Sequence, residues 1–164
     1  MNKEELEIEI NKTKEQLNKL QQALENKKYE RWQPEIRERY YSFDGCGTIY
    51  QCVWDNDCID QKRNNFYGCF KTREEAKSEA EKILIRRQLE DIARRLNKNV
   101  KIDWYDSNQH KFYINYTLKD DRLDCYAHWT DKVAGVVYCL DKNFLDIALR
   151  EIGKEKLTKY LKGE

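Results

Sequence analysis

Two histidines, six cysteines and one acidic loop are the residues of this chain best suited to chemistry. His110 lies in the polar stretch Ser107-Asn108-Gln109-His110, and His128 stands beside Trp129 in a segment with strand character. Histidine is the commonest general base, but a ring next to Trp129 is better placed for packing than for proton transfer. Cys46, Cys52, Cys58, Cys69, Cys125 and Cys139 form no C-x-x-C pair, whereas neighbouring zinc ligands stand about two to four residues apart. The sequence holds no G-x-S-x-G, no G-x-x-x-x-G-K and no H-E-x-x-H. No nucleophile motif joins a cysteine to a histidine. The loop Asp55-Asn56-Asp57-Cys58-Ile59-Asp60 begins like a calcium loop, then lacks the glycine and the closing glutamate that such a loop needs. A two-metal hydrolytic centre from Asp55, Asp57 and a distant Asp103 or Asp124 stays open, because such sites assemble in space. With 30 acidic residues in the chain, some proximity is expected by chance.

Cations interleaved with aromatics are the stronger signal. Tyr29, Arg31, Trp32, Arg37, Arg39, Tyr40 and Tyr41 are followed by Lys62, Arg63, Phe66 and Tyr67. Arginine beside aromatic rings is what protein interfaces concentrate, and also what base stacking and phosphate binding use. The binding set expected here is Arg31, Trp32, Arg37, Arg39, Tyr41, Arg63 and Tyr67; no catalytic residue, metal or cofactor is assigned. The basic residues Arg86, Arg87, Arg94 and Arg95 are a different case. Each has Glu90 or Asp91 four residues away, which makes a salt-laced, solvated helix face.

The elements that must position these residues follow from periodicity and capping. A helix from Lys3 to Lys28 is capped by Asn2 with Glu5 three residues on; acids crowd its start, and Lys27 and Lys28 its end. Leu6, Ile10, Thr13, Leu17, Leu20 and Leu24 step alternately by four and three, a heptad stripe broken only by Thr13. Such a stripe packs either on the chain's own long helix or on a second copy, with Leu6, Ile10, Leu17, Leu20 and Leu24 as the oligomerisation seam. Residues 29–38 form a linker marked by Pro34. A hairpin follows, Tyr40 to Phe43 and Thr48 to Trp54 about an Asp44-Gly45-Cys46-Gly47 turn. Residues 55–65 read as an irregular loop, and Phe66 to Phe70 as a short strand. Thr72 with Glu75 forms a capping box for a long helix buried along Ala76, Ala80, Ile83, Leu84, Ile92 and Leu96, stopped at Asn97-Lys98-Asn99. Strands are expected at Val100 to Tyr105, Lys111 to Leu118, Leu123 to Trp129 and Gly135 to Leu140. Asp141 is expected to cap a helix from Lys142 to Ile152, and Gly153 to separate it from a last helical stretch at 154–161. The fold class is therefore α+β: a heptad helix at 1–28, a linker at 29–38, and a domain at 39–164 with a twisted, mostly antiparallel sheet and two packing helices. Its halves, 39–98 and 99–164, share a plan, and an offset of 69 residues lays Thr72 on Asp141 and Ala76 on Leu145.

Composition limits the function classes. The 164 residues suit one domain, and 31 basic against 30 acidic residues argue against a general polyanion binder. An apolar content of 40%, with 11 Tyr, 4 Trp and 5 Phe, is too rich for a disordered chain. Neither a signal peptide nor an apolar run of the roughly 18–20 residues needed to cross a bilayer is visible, so a cytoplasmic protein with free thiols is expected.

Three clusters carry a resemblance: Tyr29-Glu30-Arg31-Trp32-Gln33-Pro34 with Glu38, Tyr40 and Tyr41; Trp54-Asp55 with Asp57 and Asp60; and Gly68-Cys69-Phe70-Lys71-Thr72 with Glu74-Glu75-Ala76. In combination they resemble a group of small proteins encoded by phages and prophages of Gram-positive bacteria. Glu151-Ile152-Gly153 with Leu157, Lys159 and Tyr160 fits the same group. Members often carry an asparagine between the glycine and the phenylalanine, where this chain has Cys69 directly after Gly68. The group has no agreed activity, so the resemblance implies phage origin and no catalytic residue. The expected function is a non-catalytic accessory protein in the host cytoplasm, a homodimer that antagonises an antiviral defence system by binding a defence protein (a CRISPR effector, for example) or its nucleotide ligand. The alternatives are a nucleic-acid-binding module of phage replication or recombination and a small metal-dependent hydrolase.

Overall fold

The computed structural model describes residues 3–29, 31–98, 100–128 and 130–163, so the expectations placed on Asn2, Glu30, Asn99 and Trp129 lie outside the described residues. Helix α1 (Lys3–Tyr29) precedes the hairpin β1 (Arg39–Phe43) and β2 (Ile49–Val53), a short helix α2 (Cys58–Phe66) and the long helix α3 (Arg73–Asn97). Strands β3 (Lys111–Thr117), β4 (Arg122–His128) and β5 (Tyr138–Cys139) follow, then α4 (Phe144–Glu151) and α5 (Lys154–Lys162). The architecture is α+β with two antiparallel sheets, β1-β2 and β4-β3-β5.

The capping box forms as the sequence predicts. The Glu75 N–H donates to Thr72 Oγ1 at 3.2 Å, and the Glu75 carboxylate accepts from the N–H groups of Thr72 and Lys71. From this start α3 serves both sheets. Ala76 and Ala80 pack on Phe43 of the hairpin; Ile85, Leu89, Ile92 and Ala93 pack with Ile114, Cys139, Phe144 and Ala148. The expected stripe changes accordingly. Leu84 is exposed, while Ile85 and Leu89 are buried, because the five-residue step from Ala80 to Ile85 carries the buried face about 140° around the helix axis, toward the second sheet. The helix ends on Lys98 in the left-handed region, with φ 49°. Asn97 acts beyond the helix: its Oδ1 accepts from the Leu140 N–H at 2.7 Å and ties α3 to the segment after β5.

Three expected elements are corrected. Residues 55–65 are no loop, since α2 runs through them. Asp57 caps it, accepting from the N–H groups of Ile59 and Asp60 at 2.8 Å each. The Phe66 to Phe70 strand reduces to one bridge, in which Phe70 exchanges two 2.9 Å backbone bonds with Tyr41. Val100 to Tyr105 is irregular because side chains take the backbone bonds a ladder would need: Asp103 accepts from the Tyr105 N–H, and Gln109 from the Asp103 N–H. The fourth expected strand shrinks to Tyr138–Cys139, and the helix expected from Lys142 begins at Phe144. Asp141 shapes the turn before it, accepting from the Asn143 N–H at 2.8 Å. Gly153, at φ 93°, separates α4 from α5 as expected.

The two sheets share a plan. In each, a segment after the hairpin returns antiparallel to the hairpin's first strand and leads into a helix. Phe70 bridges Tyr41 and Cys139 bridges Phe112, and the offset of 69 that aligns the helices also lays Phe70 on Cys139. Residues 31–38 dock back on the first hairpin through Arg37 N–H to Trp54 O at 2.7 Å and Trp54 N–H to Glu38 O at 2.9 Å. Helix α1 belongs to none of the three apolar cores among the described residues.

Candidate functional site

The expected binding set divides between the two faces of the first hairpin. On the α2 side, a buried carboxylate is the organising group. Asp60 accepts from the Tyr40 hydroxyl at 2.6 Å and from the Asp55 N–H at 2.8 Å, with Arg63 at 3.7 Å. Arg63 also donates to the Tyr40 oxygen at 3.4 Å and lies over the Tyr50 ring. Burial, reinforced by the bond to Asp60, pushes the Tyr40 phenol well above its ordinary range. Arg31 donates to Asn64 O at 3.0 Å, and its guanidinium fills the space beside Gly68, where a Cβ would come within 1.8 Å of Nη2. Trp32 covers the Tyr40–Trp54–Cys69 cluster, with Lys71 Nζ 5.5 Å from its ring centre. On the α3 side, Tyr41 accepts from Gln51 at 3.0 Å, and Tyr67 meets the Phe43 ring edge-on at 5.6 Å. Arg37 and Arg39 are exposed at the open end of the hairpin. Five of the seven expected residues therefore have internal partners, and Arg37 and Arg39 point their charge at solvent.

Three of the four carboxylates considered for a metal centre have structural partners. Asp57 is a helix cap and Asp103 holds a turn. Asp124 takes the Arg122 guanidinium at 2.8 Å and the Thr117 hydroxyl at 3.1 Å, and the arginine holds its carboxyl below the usual range. Burial pushes the Cys69 thiol up to about 11, and those of Cys125 and Cys139 upward too, away from the thiolate a nucleophile needs. Among the described residues, no group of three or more His, Cys, Asp or Glu side chains is arranged to hold a metal ion. An open cleft of about 620 Å³ at the end of α3, lined by Lys98, His110, Phe112, Asp141 and Lys142, mixes both charges with an apolar floor.

A different surface gathers what the sequence left scattered. Alternation along β3 sends Phe112, Ile114 and Tyr116 to one face and Lys111, Tyr113, Asn115 and Thr117 to the other. Helices α3, α4 and α5 build the main core with Ile114, Cys139 and Leu123, all on the first of these faces. On the opposite face, Tyr113 meets His128 at 5.2 Å, Tyr138 at 5.6 Å and Tyr126 at 5.9 Å between ring centres. Trp104, carried by the irregular loop before β3, stands edge-on to Tyr138 at 4.9 Å. Lys111 is wholly buried beneath this loop, donating to Asp106 O at 2.6 Å, and both Lys111 and Lys132 lie 5.9 Å from the Trp104 ring centre. The rim is apolar and open: Tyr126 is 40% exposed, Val133 52% and Tyr105 99%.

No family model, curated protein or solved structure matches the chain. Among the described residues, no helix is long and apolar enough to cross a membrane. The sequence did carry a signal for the second surface, in the odd-numbered positions Lys111, Tyr113, Asn115 and Thr117. Phe112 and Tyr116 mask it by putting aromatics on the other parity as well.

Proposed function

We propose that this protein acts by stoichiometric binding, and that the helix-free face of the β4-β3-β5 sheet receives a protein partner. The observation that carries this reading is the ring cluster of Tyr113, Tyr126, His128, Tyr138 and Trp104 on the sheet face opposite the helices, with Tyr105 and Val133 exposed at its rim. Rigid tyrosines and tryptophans with few free charges are the composition of interface centres. Arg122 is matched by Asp124 and Asp120, so the polar end of the face carries little net charge. That balance favours a protein surface over a phosphate backbone. The resemblance to phage-encoded proteins gives the setting: antagonism of a host antiviral system by capture of one of its proteins. Exposed Arg37 and Arg39 are the contributors that the first hairpin adds.

The test is phage plating on hosts that carry defined defence systems. Wild-type protein is expected to restore plating on at least one host, and Tyr126→Ala with Tyr105→Ala to lose that effect while keeping the melting temperature. Failure of the wild type against every system tried counts against the reading. A second reading, a nucleic-acid-binding module, is favoured by Lys132 held at the Trp104 ring, a pairing that also suits a stacked base and its phosphate. It predicts single-strand affinity that falls steeply with salt, and no binding at low salt ends it.

A further inference from the structure

Helix α1 presents an apolar stripe that its own chain leaves uncovered. Ile10, Leu17 and Leu20 are 51, 55 and 69% exposed, and a shallow groove follows them along Glu9, Ile10, Thr13, Lys14 and Leu17. Leu6 and Leu24 extend the stripe by position, their side chains lying outside the described set. A stripe two residues wide repeating every 3.5 residues is a coiled-coil seam, narrower than the face of a helix resting on a globular core. Its occupant is therefore another helix of the same period, and the charges beside the seam indicate which one.

With Ile10, Leu17 and Leu24 at the a positions and Leu6, Thr13 and Leu20 at the d positions, Glu9 occupies a g position and Lys14 the following e position. In a parallel, in-register pair, g of one helix meets the next e of the other. Glu9 then faces the partner's Lys14, and symmetry repeats the contact. In an antiparallel pair centred on the stripe, e meets e, which brings Lys14 beside the partner's Lys14. Like charges so placed are unfavourable. Thr13, the one polar residue in the seam, donates its hydroxyl to Glu9 O at 2.8 Å within its own helix, so it enters an interface without an unsatisfied donor. The ion pair Glu15–Lys19, 2.8 Å apart, sits on the opposite side and leaves the seam unobstructed.

We infer that α1 of one chain pairs with α1 of a second copy in a parallel, in-register, two-stranded coiled coil, set by Glu9–Lys14 contacts between the chains. Both α+β bodies then leave the rod at the same end, which gives a bivalent protein whose two binding faces engage a repeated or dimeric target with raised effective concentration. The pairing stands on α1 alone and does not depend on the surface proposed above.

Light scattering on the full chain across the micromolar range is expected to report twice the 19.9 kDa chain mass. A monomer or a trimer throughout overturns the inference. Glu9→Lys and Lys14→Glu are each expected to weaken the dimer roughly tenfold, by replacing two attractive contacts with two repulsive ones, and E9K/K14E together to restore it. Single variants that dissociate like the wild type overturn the parallel register. Thr13→Cys provides a second readout, because only the in-register parallel pair sets position 13 beside itself. A disulfide mapped to residue 13 supports the register, and its absence from a dimer under oxidising conditions rejects it.

Discussion

The Tyr40–Asp60–Arg63 group shows how single residues of this chain exchange chemical reactivity for structure. A carboxylate is costly to bury unless each oxygen has a partner. Here Oδ1 takes the Tyr40 hydroxyl and Oδ2 the Asp55 N–H, with Arg63 alongside. Tyr40→Phe removes the shortest of these bonds and is expected to cost about 1–3 kcal/mol in urea unfolding at neutral pH. The same residue fixes a pH dependence. Its phenol lies above the ordinary value of 10.0 in the folded chain, so the unfolded chain gives up that proton first. Its contribution is complete below pH about 10 and is lost as pH rises further. The free energy of unfolding measured from neutral to alkaline pH should decline above that point, and decline less in Tyr40→Phe; matching slopes would refute the assignment. Cysteine chemistry follows the same logic. Cys46 and Cys58 are exposed while Cys69 and Cys139 are buried, so a thiol reagent should label the first pair rapidly and the second only on unfolding.

At the scale of elements, legibility depended on where the stabilising contact lies. The α3 start was readable because both capping partners sit three residues apart; Thr72→Ala is expected to cost about 1 kcal/mol in thermal or urea unfolding. Helix α2 was not readable. Among its residues only Asp60 is buried, so no apolar stripe announces it, and what holds it is the Asp57 cap and the distant Tyr40. The stretch 100–105 failed in the opposite sense: it has the composition of a strand, but Asp103 and Gln109 satisfy its backbone from the side. Gly68 is a further case, since its φ of 101° and the Arg31 guanidinium against it become visible only once residues 31 and 68 are adjacent. Gly68→Ala should therefore destabilise more than Thr72→Ala, by roughly 2–4 kcal/mol with the strained backbone and the displaced arginine together. A Gly68→Ala variant as stable as the wild type would show that Arg31 moves aside freely.

At the scale of the whole molecule, α3 joins two small sheets that neither hairpin could stabilise alone, and α1 stands apart from all three cores. The ring-bearing face was hidden at the level of sequence because β3 carries aromatics on both parities, Phe112 and Tyr116 on one side and Tyr113 on the other, and only the packed helices show which side is covered. This division predicts how the protein responds to truncation. Removing residues 1–28 takes away no described core side chain, so the remaining body should melt within about 2 °C of the full chain, whereas 1 kcal/mol of lost packing would lower the transition by roughly 2–4 °C in a chain of this size. Calorimetry of the two proteins at equal and low concentration, where mass action does not favour the coiled coil, separates the cases. A drop beyond about 5 °C would place the Ile10–Leu17–Leu20 stripe on the body of its own chain.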